Sequence, residues 1–363
     1  MAHKHVCVIG GGIIGSTIAC ELSKHNLKVS VVDCGKSNPP ATPSSFGWIN
    51  AHSPQQAHHF GLRLRSMDLW KSLSDEFPDL PVFWKSALDW DFDPDELQSL
   101  NQSYNNLGYT TEIVDRKQIQ KRFTLETDIE FAILSNNDAV AIPEQIAGFF
   151  SALAQSHGAI WINDKRVDEI VTKNNRVTSI LIDGTKLDCD CIVVAAGCGS
   201  PILLEQLGID LPITNKPGLL VRTTAQPTLF EGLVSSPSLH FWQLPNGQII
   251  AGENQAGDIL SGNLEEIEAH TQKRLAEFLP NAIDLKIASR SIAVRPQPID
   301  GMPALGICDK FENLHVAVLH SGITLAPIIA DLVSSEIIKE TVIEDLKPYR
   351  IERFQEIGEA MAS

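Results

Sequence analysis

Residues 8–33 read VIGGGIIGSTIACELSKHNLKVSVVD, and the beginning of this stretch predicts a nucleotide-binding turn. The apolar run His5–Ile9 is typical of a buried parallel strand. Gly10, Gly12 and Gly15 follow it in the spacing G-x-G-x-x-G. In such a turn the first glycine allows the tight bend, the second lets the backbone approach a pyrophosphate, and the third lets a helix pack closely on the strand.

The rest of the stretch predicts a helix and a second strand. Ile14, Ile18 and Leu22 recur every four residues, which indicates a helix whose N-terminal N–H groups face the phosphates. We also place Ile14 beside the cofactor. The strand Val29–Val32 ends at Asp33, about 20 residues after the glycines, where an acid suits the adenosine ribose hydroxyls. This acid argues against the 2′-phosphate of NADP, but it fits NAD and FAD equally well.

Composition limits the class of protein. The 363 residues carry a net charge of −16, which argues against nucleic acid and against an acidic membrane surface as partners. A hydrophobic content of 43% is typical of a soluble globular chain, and no run of about 18 apolar residues predicts a membrane span. The first strand begins too early for a signal peptide, and the seven cysteines form no C-x-x-C pair. We therefore expect a cytoplasmic protein, with peripheral association at the inner membrane left open.

No metal site is expected. The histidines at positions 3, 5, 58 and 59 lack the spacing of metal ligands. The stretch LDWDFDPDEL, residues 88–97, has acids at the spacing of a calcium loop, but Glu96 stands where that loop needs glycine. Its alternation of acidic and aromatic residues predicts a half-exposed strand instead.

The order of elements predicts two interleaved domains. A loop rich in Gly, Pro and Ser, residues 34–54, follows the nucleotide-binding unit where an NAD-dependent fold usually continues with a crossover helix. Strands and turns over 165–190 then lead into a second apolar strand, Cys191–Ala196, which returns the chain to the nucleotide-binding sheet. The patterns predict helices over residues 55–76, 143–156 and 264–279.

Five stretches together resemble the D-amino-acid oxidase type of FAD-dependent oxidoreductases, and in particular its glycine oxidase members. Sarcosine oxidase and D-amino acid dehydrogenase are relatives in that family. The stretches occur in the family's order and are GGGIIG (10–15), SSFGWINAH (44–52), VVAAGCGS (193–200), RPQPIDGMPALG (295–306) and HSGITLAP (320–327). The resemblance implies a resident FAD rather than an exchanging NAD.

The resemblance also implies which loop residues contact the cofactor. Ser44, Ser45 and Gly47 would lie along the pyrophosphate and ribityl chain, where hydroxyls and bare backbone suit a polar ligand. Trp48 would lie over the flavin region. The backbone of Val167 would meet the adenine.

Two further segments complete the cofactor site that the resemblance implies. Gly197 matches a second glycine turn near the dinucleotide. Gly322, Ile323 and Thr324 begin the last helix, whose N-terminus would face the flavin pyrimidine oxygen and stabilise the anion formed on two-electron reduction. Ser321 or Thr324 is expected to cap this helix.

The flavin should be bound non-covalently. Sarcosine oxidases attach FAD through a cysteine a few residues before the aspartate that matches Asp300. Ala293 occupies that place in this chain and offers no sulfur.

Three residues are expected on the substrate side. Arg295 resembles the family arginine that binds the substrate carboxylate bidentately. Trp242 falls where glycine oxidase has a tyrosine lining the substrate pocket, and His320 falls where it has an arginine. These two departures put glycine itself in doubt as the substrate.

The sequence therefore predicts an α/β fold with a Rossmann-like FAD-binding domain and a smaller antiparallel-sheet substrate domain. The first would comprise residues 1–80, 142–215 and 291–363, and the second residues 81–141 and 216–290. The implied reaction is oxidation of an amino acid, either a D-amino acid or a glycine- or sarcosine-like one, by hydride transfer from Cα to flavin N5. Oxygen or a quinone-type partner would reoxidise the flavin.

Other readings stay open at this point. The same fold could oxidise a 2-hydroxy acid or an opine-like secondary amine. The chain could instead be a flavin-bearing subunit that is active only in a hetero-complex, and a homo-oligomer is equally compatible with the sequence. The substrate, its stereochemistry and any active-site base are not predicted.

Overall fold

The computed structural model describes residues 4–35, 40–52, 57–252 and 264–355. Its strands are β1 (His5–Ile9), β2 (Lys28–Val32), β3 (Trp48–Ile49), β4 (Val82–Asp89), β5 (Thr111–Asp115), β6 (Phe131–Ala141), β7 (Ile160–Ile162), β8 (Val167–Lys173), β9 (Arg176–Ile182), β10 (Thr185–Asp188), β11 (Cys191–Val194), β12 (Ile213–Thr223), β13 (Leu233–Ser235), β14 (His240–Gln243), β15 (Ile249–Gly252), β16 (Ile287–Pro298), β17 (Ala304–Cys308) and β18 (Phe311–Val318). Its α-helices are α1 (Ile13–Ser23), α2 (Ala57–Glu76), α3 (Leu97–Asn106), α4 (Arg116–Phe123), α5 (Pro143–Ser156), α6 (Ser200–Glu205), α7 (Leu264–Phe278) and α8 (Gly322–Lys339).

The first sheet is mostly parallel and has the strand order β17-β18-β11-β1-β2-β7. Only β17 pairs antiparallel to its neighbour. Alternate residues of β1 face opposite sides, so Val6 and Val8 pack among the helices α1, α2, α5 and α8, whereas Cys7 and Ile9 pack against the β8–β10 meander and α6. Burial on both faces explains why β1 and β11 are continuous apolar runs.

The second sheet has the order β16-β12-β15-β14-β13-β4-β6-β3, with β5 also paired to β6. Its neighbours are antiparallel except β13 and β4. A mixed α/β fold with a separate, largely antiparallel sheet confirms the predicted fold class. The sheet also includes β3 and most of β16, which lie inside the segments predicted for the FAD-binding domain. The exact domain boundaries therefore stay a prediction.

One predicted strand is wrong over most of its length. In residues 88–97 the strand ends at Asp89, and a short 3-10 helix follows over Pro94–Glu96. The Asp89 carboxylate accepts a hydrogen bond from the backbone of Asp91 at 3.0 Å, and Asp93 accepts one from Asp95 at 3.0 Å. Aspartate side chains that bond local N–H groups compete with strand pairing, so the alternating pattern gives turns here.

The two sheets meet beside the carboxyl ends of β1, β11 and β18. This edge of an open parallel sheet is where α/β proteins bind their ligands. Among the described residues, no helix is both long enough and apolar enough to cross a membrane.

Candidate functional site

A cavity of about 1760 Å³ runs from the first glycine turn to the face of the second sheet. Both layers contribute to its wall, from Gly10 in the first sheet to Arg295 in β16. Pockets for drug-sized ligands span roughly 300–1,000 Å³. The larger volume suits a dinucleotide together with a second small molecule.

The glycine turn is tight where the spacing requires it. Gly10 has φ of 108°, and a side chain there would overlap the carbonyl oxygen of Ala195 in the neighbouring strand. A side chain at Gly15 would overlap the carbonyl oxygen of Gly10, so this glycine serves helix packing and does not line the cavity. Gly12 precedes α1 and gives it no side-chain cap. Thr42 instead accepts a hydrogen bond from the N–H of Ile13 at 3.0 Å.

Asp33 lies at the end of β2 and lines the cavity, as predicted. One carboxylate oxygen accepts from the N–H of Gly11 at 2.6 Å, and the other accepts from Gly35 at 2.8 Å. Each carboxylate oxygen has a further lone pair, so Asp33 is able to accept ribose hydroxyls as well.

The loop before β3 forms one side of the cavity. Ser44, Ser45, Gly47 and Trp48 all line it. Gly47 has φ of 87°, and a side chain there would overlap the carbonyl oxygen of Ala141 in β6. The Ser45 hydroxyl is buried and has no hydrogen-bond partner in the described part of the chain. A buried hydroxyl facing a cavity normally has a partner, and a polar ligand group would supply one.

The remaining predicted cofactor residues also line the cavity. They are Ile14, Val167, Gly197, Gly322, Ile323 and Thr324. Three features of the cavity wall fit the parts of a bound FAD. They are the glycine backbone, the buried Ser45 hydroxyl that lacks a partner among the described residues, and the carboxylate of Asp33.

The predicted capping of α8 is wrong. Ser321 is the N-cap residue in a left-handed conformation, with φ of 60°, and makes no side-chain cap bond. The Thr324 hydroxyl donates to the carbonyl oxygen of Trp48 at 3.0 Å, which ties the helix to β3. Ser321 thus leaves the first N–H groups of α8 uncapped, and Gly322 and Ile323 at this N-terminus line the cavity.

Arg295 and His320 face the cavity together. The Arg295 guanidinium lies over Gly218, with Nη2 2.9 Å from the point that a Cβ of residue 218 would occupy. It has no ion-pair partner among the described residues. His320 is surrounded by protein but exposed to the cavity, and burial together with the positive charges of Arg295 and Arg63 lowers the pKa of its ring to about 4.

Trp242 does not line the cavity. The residue is fully buried, and its indole N–H donates to the carbonyl oxygen of Phe46 at 3.0 Å. It packs with Leu233 and Ile250 in a small core of the second sheet. The loop that carries Phe46 covers the indole, so Trp242 supports the cavity wall from behind.

His240 lines the cavity two residues before Trp242 and was not predicted. Burial and the charge of Arg295 lower the pKa of His240 to about 4, against the opposing effect of Asp89. Its Nδ1 atom is buried without a hydrogen-bond partner among the described residues. A neutral imidazole therefore forms part of the cavity wall near Arg295.

A buried polar network at one end of the cavity was also missed. Its centre is Asp138, whose carboxylate accepts hydrogen bonds from the Tyr109 hydroxyl, from Ser135 at 2.6 Å and from the Trp48 indole at 2.6 Å. His52 Nδ1 lies 2.8 Å from Asp89, and its Nε2 lies 3.7 Å from Asp138.

The protonation of this network follows from its burial. Burial raises the pKa of Asp138 despite its hydrogen bonds. Burial alone lowers the pKa of His52, but the hydrogen bond to Asp89 and the charges of both carboxylates outweigh it and raise that pKa. The raised pKa of His52 favours the protonated ring beside Asp89, and the His52 ring centroid lies 4.6 Å from that of Trp48.

Arg63 was missed as well, although α2 carries a signal for it. Phe60, Met67 and Trp70 are buried on one face of this helix. Arg63 lies on the same face, because it follows Phe60 by three residues and precedes Met67 by four. A charged residue on a buried helical face is unusual enough to single out. The networks around Asp138 and His240 join distant segments, and no local pattern marks them.

The fold and the cavity fit a flavin-binding oxidoreductase. The chain belongs to the FAD dependent oxidoreductase (DAO) family, whose family model matches residues 5–336. FAD is accordingly its cofactor.

Relatives match along nearly the whole chain. A subunit of the opine oxidase of Rhizobium meliloti is 22% identical over 98% of both chains. Glycine oxidase of Bacillus subtilis is 24% identical over 97% of this chain and 98% of its own. The structure of glycine oxidase from Geobacillus kaustophilus superposes with a TM-score of 0.86 at 20% identity, covering 96% of this chain and 98% of that one. The last likeness shows a shared fold.

Proposed function

We propose that this protein oxidises the Cα–N bond of an amino acid. The observation that carries the proposal is Arg295, a guanidinium on the cavity wall with no acidic partner among the described residues. Burial lowers the pKa of this arginine but leaves it charged at neutral pH. A buried unpaired charge is costly, so an anionic ligand is the expected partner. The names of the glycine oxidase and opine oxidase relatives support an amino-acid-like ligand.

In this proposal the chain's own residues bind and orient the substrate. Arg295 donates two parallel hydrogen bonds to the carboxylate, which fixes the Cα relative to the cofactor. His240 lines the same cavity and is neutral at physiological pH, because burial and the charge of Arg295 lower its pKa to about 4. Neutral imidazoles beside Arg295 also avoid competition for the carboxylate.

The cofactor would be bound by the residues that line the glycine-turn end of the cavity. These are Gly10, Gly12, Asp33, Ser44, Ser45, Gly47, Val167 and Gly197. The chemistry that FAD supplies when bound is acceptance of a hydride from Cα at flavin N5, which gives an imino acid that water converts to an oxo acid and ammonia. The N-terminus of α8 contributes a positive dipole end toward the same chamber.

A carboxylate requirement tests this function. The FAD-loaded protein is mixed without oxygen with an amino acid, its amide and the corresponding decarboxylated amine, and flavin bleaching is followed. We expect bleaching by the amino acid and at least about 30-fold slower bleaching by the other two, since each leaves Arg295 without an anion. Equal rates with all three would identify an amine oxidoreductase and overturn the proposal.

A second candidate is that the chain works inside a hetero-complex. It is favoured by the name of one relative, which is a subunit of an opine oxidase. The two cases differ in turnover. An independent oxidase reduces its flavin and then turns over with oxygen, whereas an isolated component of a complex is reduced by substrate but turns over only when an artificial electron acceptor is added.

A further inference from the structure

Arg63 lines the cavity together with Arg166 and Arg295, and the proposed reaction does not use it. It lies on α2. Its Nε donates to the carbonyl oxygen of Asn50 at 3.0 Å, its Nη2 donates to the Asn50 side chain at 2.9 Å, and its Nη1 donates to Ser321 at 3.3 Å. A guanidinium has five N–H donors, so three bonds leave two donors available.

The acceptors of Arg63 are all uncharged oxygens, and within the described residues no carboxylate forms an ion pair with it. Asp138 is near enough to act on its charge, but both oxygens of Asp138 already accept hydrogen bonds, from Tyr109 and Ser135 on one and from Trp48 on the other. Asp89 is paired with His52. Within the described residues, Arg63 is therefore held by uncharged acceptors and makes no direct contact with a carboxylate, although the charge of Asp138 acts on it.

The arrangement differs from that of the other buried arginines. Arg350 binds both oxygens of Glu336, and Arg353 binds both oxygens of Asp300 at 2.7 and 3.2 Å. In each of these two pairs a carboxylate contacts the guanidinium directly and neutralises its charge. Arg63 and Arg295 lack such partners, and both line one cavity.

The charges of both cations act on one short segment, residues 320–321. Ser321 accepts from Arg63 and lies 3.0 Å from His320 Nδ1, and the charges of Arg63 and Arg295 both act on the His320 ring. His320 adds no negative charge between them. This part of the cavity wall thus presents two separate positive groups to any molecule bound there.

We propose that Arg63 binds a second carboxylate of the substrate, so that the substrate class is an amino or imino dicarboxylate. The inference rests on the proposed function, in which Arg295 binds the first carboxylate beside the oxidised Cα–N bond. The fixed donors to Asn50 and Ser321 orient Arg63, and its two remaining N–H groups suit a planar carboxylate. A monocarboxylate would leave one buried guanidinium without an anion.

The experiment compares matched substrates in the FAD-loaded protein. The pairs are sarcosine with iminodiacetate, and alanine with aspartate in both enantiomers. Arg63→Met removes the charge with little change in volume. Arg65→Met is the control, because Arg65 lies on the same helix but is exposed and pairs with Asp345 at the surface.

We expect the unmutated protein to prefer the dicarboxylate of at least one pair. Arg63→Met should lower kcat/KM for that dicarboxylate about 30-fold or more, by analogy with truncated buried charge pairs. It should change kcat/KM for the matching monocarboxylate by less than about threefold. Arg65→Met should change neither. Glutarate, which cannot be oxidised, should perturb the flavin absorption at lower concentration than butyrate does, and only while Arg63 is present.

Three results would overturn the inference. One is a wild-type preference for monocarboxylates in every pair, and another is weaker glutarate binding than butyrate binding. The third is an equal loss of kcat/KM for both members of a pair in Arg63→Met, which would show that Arg63 supports flavin binding or folding. If no amine bleaches the flavin at all, the proposed function fails, and glutarate binding still decides whether Arg63 binds a carboxylate.

Discussion

At the scale of single residues, the proposed substrate class depends on Arg295. Arg295→Lys retains the charge but loses the planar pair of donors, so substrate binding should weaken. Arg295→Ala should lower kcat/KM about 30- to several-thousand-fold, the effect of leaving a carboxylate buried and unpaired at a cost of roughly 2–5 kcal/mol. Steady-state kinetics with the preferred amino acid measures both effects.

FAD content separates this role from a structural one. Both Arg295 variants should retain FAD and the flavin spectrum of the unmutated protein. Arg274→Ala is a suitable control, because Arg274 forms an exposed pair with Glu277 on α7. Loss of flavin or of folded protein in Arg295→Ala would show that this residue is structural.

We expect Asp33 to contribute to the affinity for the cofactor. If its carboxylate accepts hydrogen bonds from the ribose, Asp33→Ala should weaken FAD binding by about 1.5–3 kcal/mol, which is roughly 10- to 150-fold in Kd. Titration of the apoprotein with FAD measures this change. Unchanged affinity in Asp33→Ala would place the acid away from the ribose.

Denaturation of the unmutated protein should release FAD into solution, since Ala293 offers no sulfur for attachment.

At the scale of elements, the packing of α1 on β1 depends on Gly15. A methyl group there would overlap the carbonyl oxygen of Gly10, and backbone cannot move aside as a flexible side chain can. Gly15→Ala should therefore destabilise the protein by about 1–3 kcal/mol or more, the cost of overpacking. Denaturant unfolding, followed by the far-ultraviolet circular dichroism of the chain, measures the change.

Gly148 provides the matched control. It also lies in a helix, α5, but nothing lies within 4 Å of the position that its Cβ would take. Gly148→Ala should be neutral or stabilise the protein by about 0.5–1 kcal/mol, because alanine favours helix more than glycine does. Similar effects of the two substitutions would contradict the close contact at Gly15.

The elements also show what sequence patterns can and cannot predict. The helix α5 and the first βαβ unit follow local periodicity, and the pattern predicted them closely. The two-residue strand β3 has no period of its own and exists because Trp48 pairs with Val140 and Ile49 with Ala139. The strand predicted after Asp89 failed because aspartates there bond their own backbone.

The functional site shows the same difference between features that a local sequence pattern predicts and features that depend on contacts between distant segments. The residues that the motifs predict to contact the cofactor line the cavity, with the exception of Gly15, because each motif is a local turn with its own backbone requirement. Arg63, His52 and Asp138 come together only through the pairing of distant segments, so their proximity could not be read from any one stretch. Trp242 was predicted to line the substrate pocket because it matches a tyrosine of glycine oxidase. The loop that carries Phe46 covers its indole instead, and no local pattern in the sequence indicates this contact.

At the scale of the whole molecule, His315 couples stability to pH. It lies in β18 with its side chain 4% exposed and Nε2 3.7 Å from Glu336. Burial, together with the charges of Arg350 and Lys4, lowers the pKa of His315 to about 4 despite the opposing effect of Glu336. The folded protein therefore keeps this ring neutral at pH values where the unfolded chain protonates it.

The lowered pKa of His315 makes the protein less stable in acid. Between pH 6.5 and about 4 the ring is protonated in the unfolded chain but stays neutral in the folded protein. The free energy of unfolding therefore decreases as the pH falls through this range, and this effect of His315 is absent above pH 6.5. The loss is at most about 3 kcal/mol for a shift of roughly 2.5 units. His315→Gln should flatten the fall in unfolding free energy over this range, and His157→Gln, at an exposed helix end, should not. Identical pH profiles for the two variants would exclude this role of His315.

The central claim is that this chain binds FAD and oxidises amino acids, and anaerobic reduction tests it most directly. The FAD-loaded protein is mixed with a panel of amino acids, amino dicarboxylates and 2-hydroxy acids, and the flavin absorption and the products are measured. We expect an amino acid of the panel to bleach the flavin and to yield one oxo acid per flavin reduced. Bleaching by 2-hydroxy acids alone, or a protein that binds no FAD, would contradict the claim.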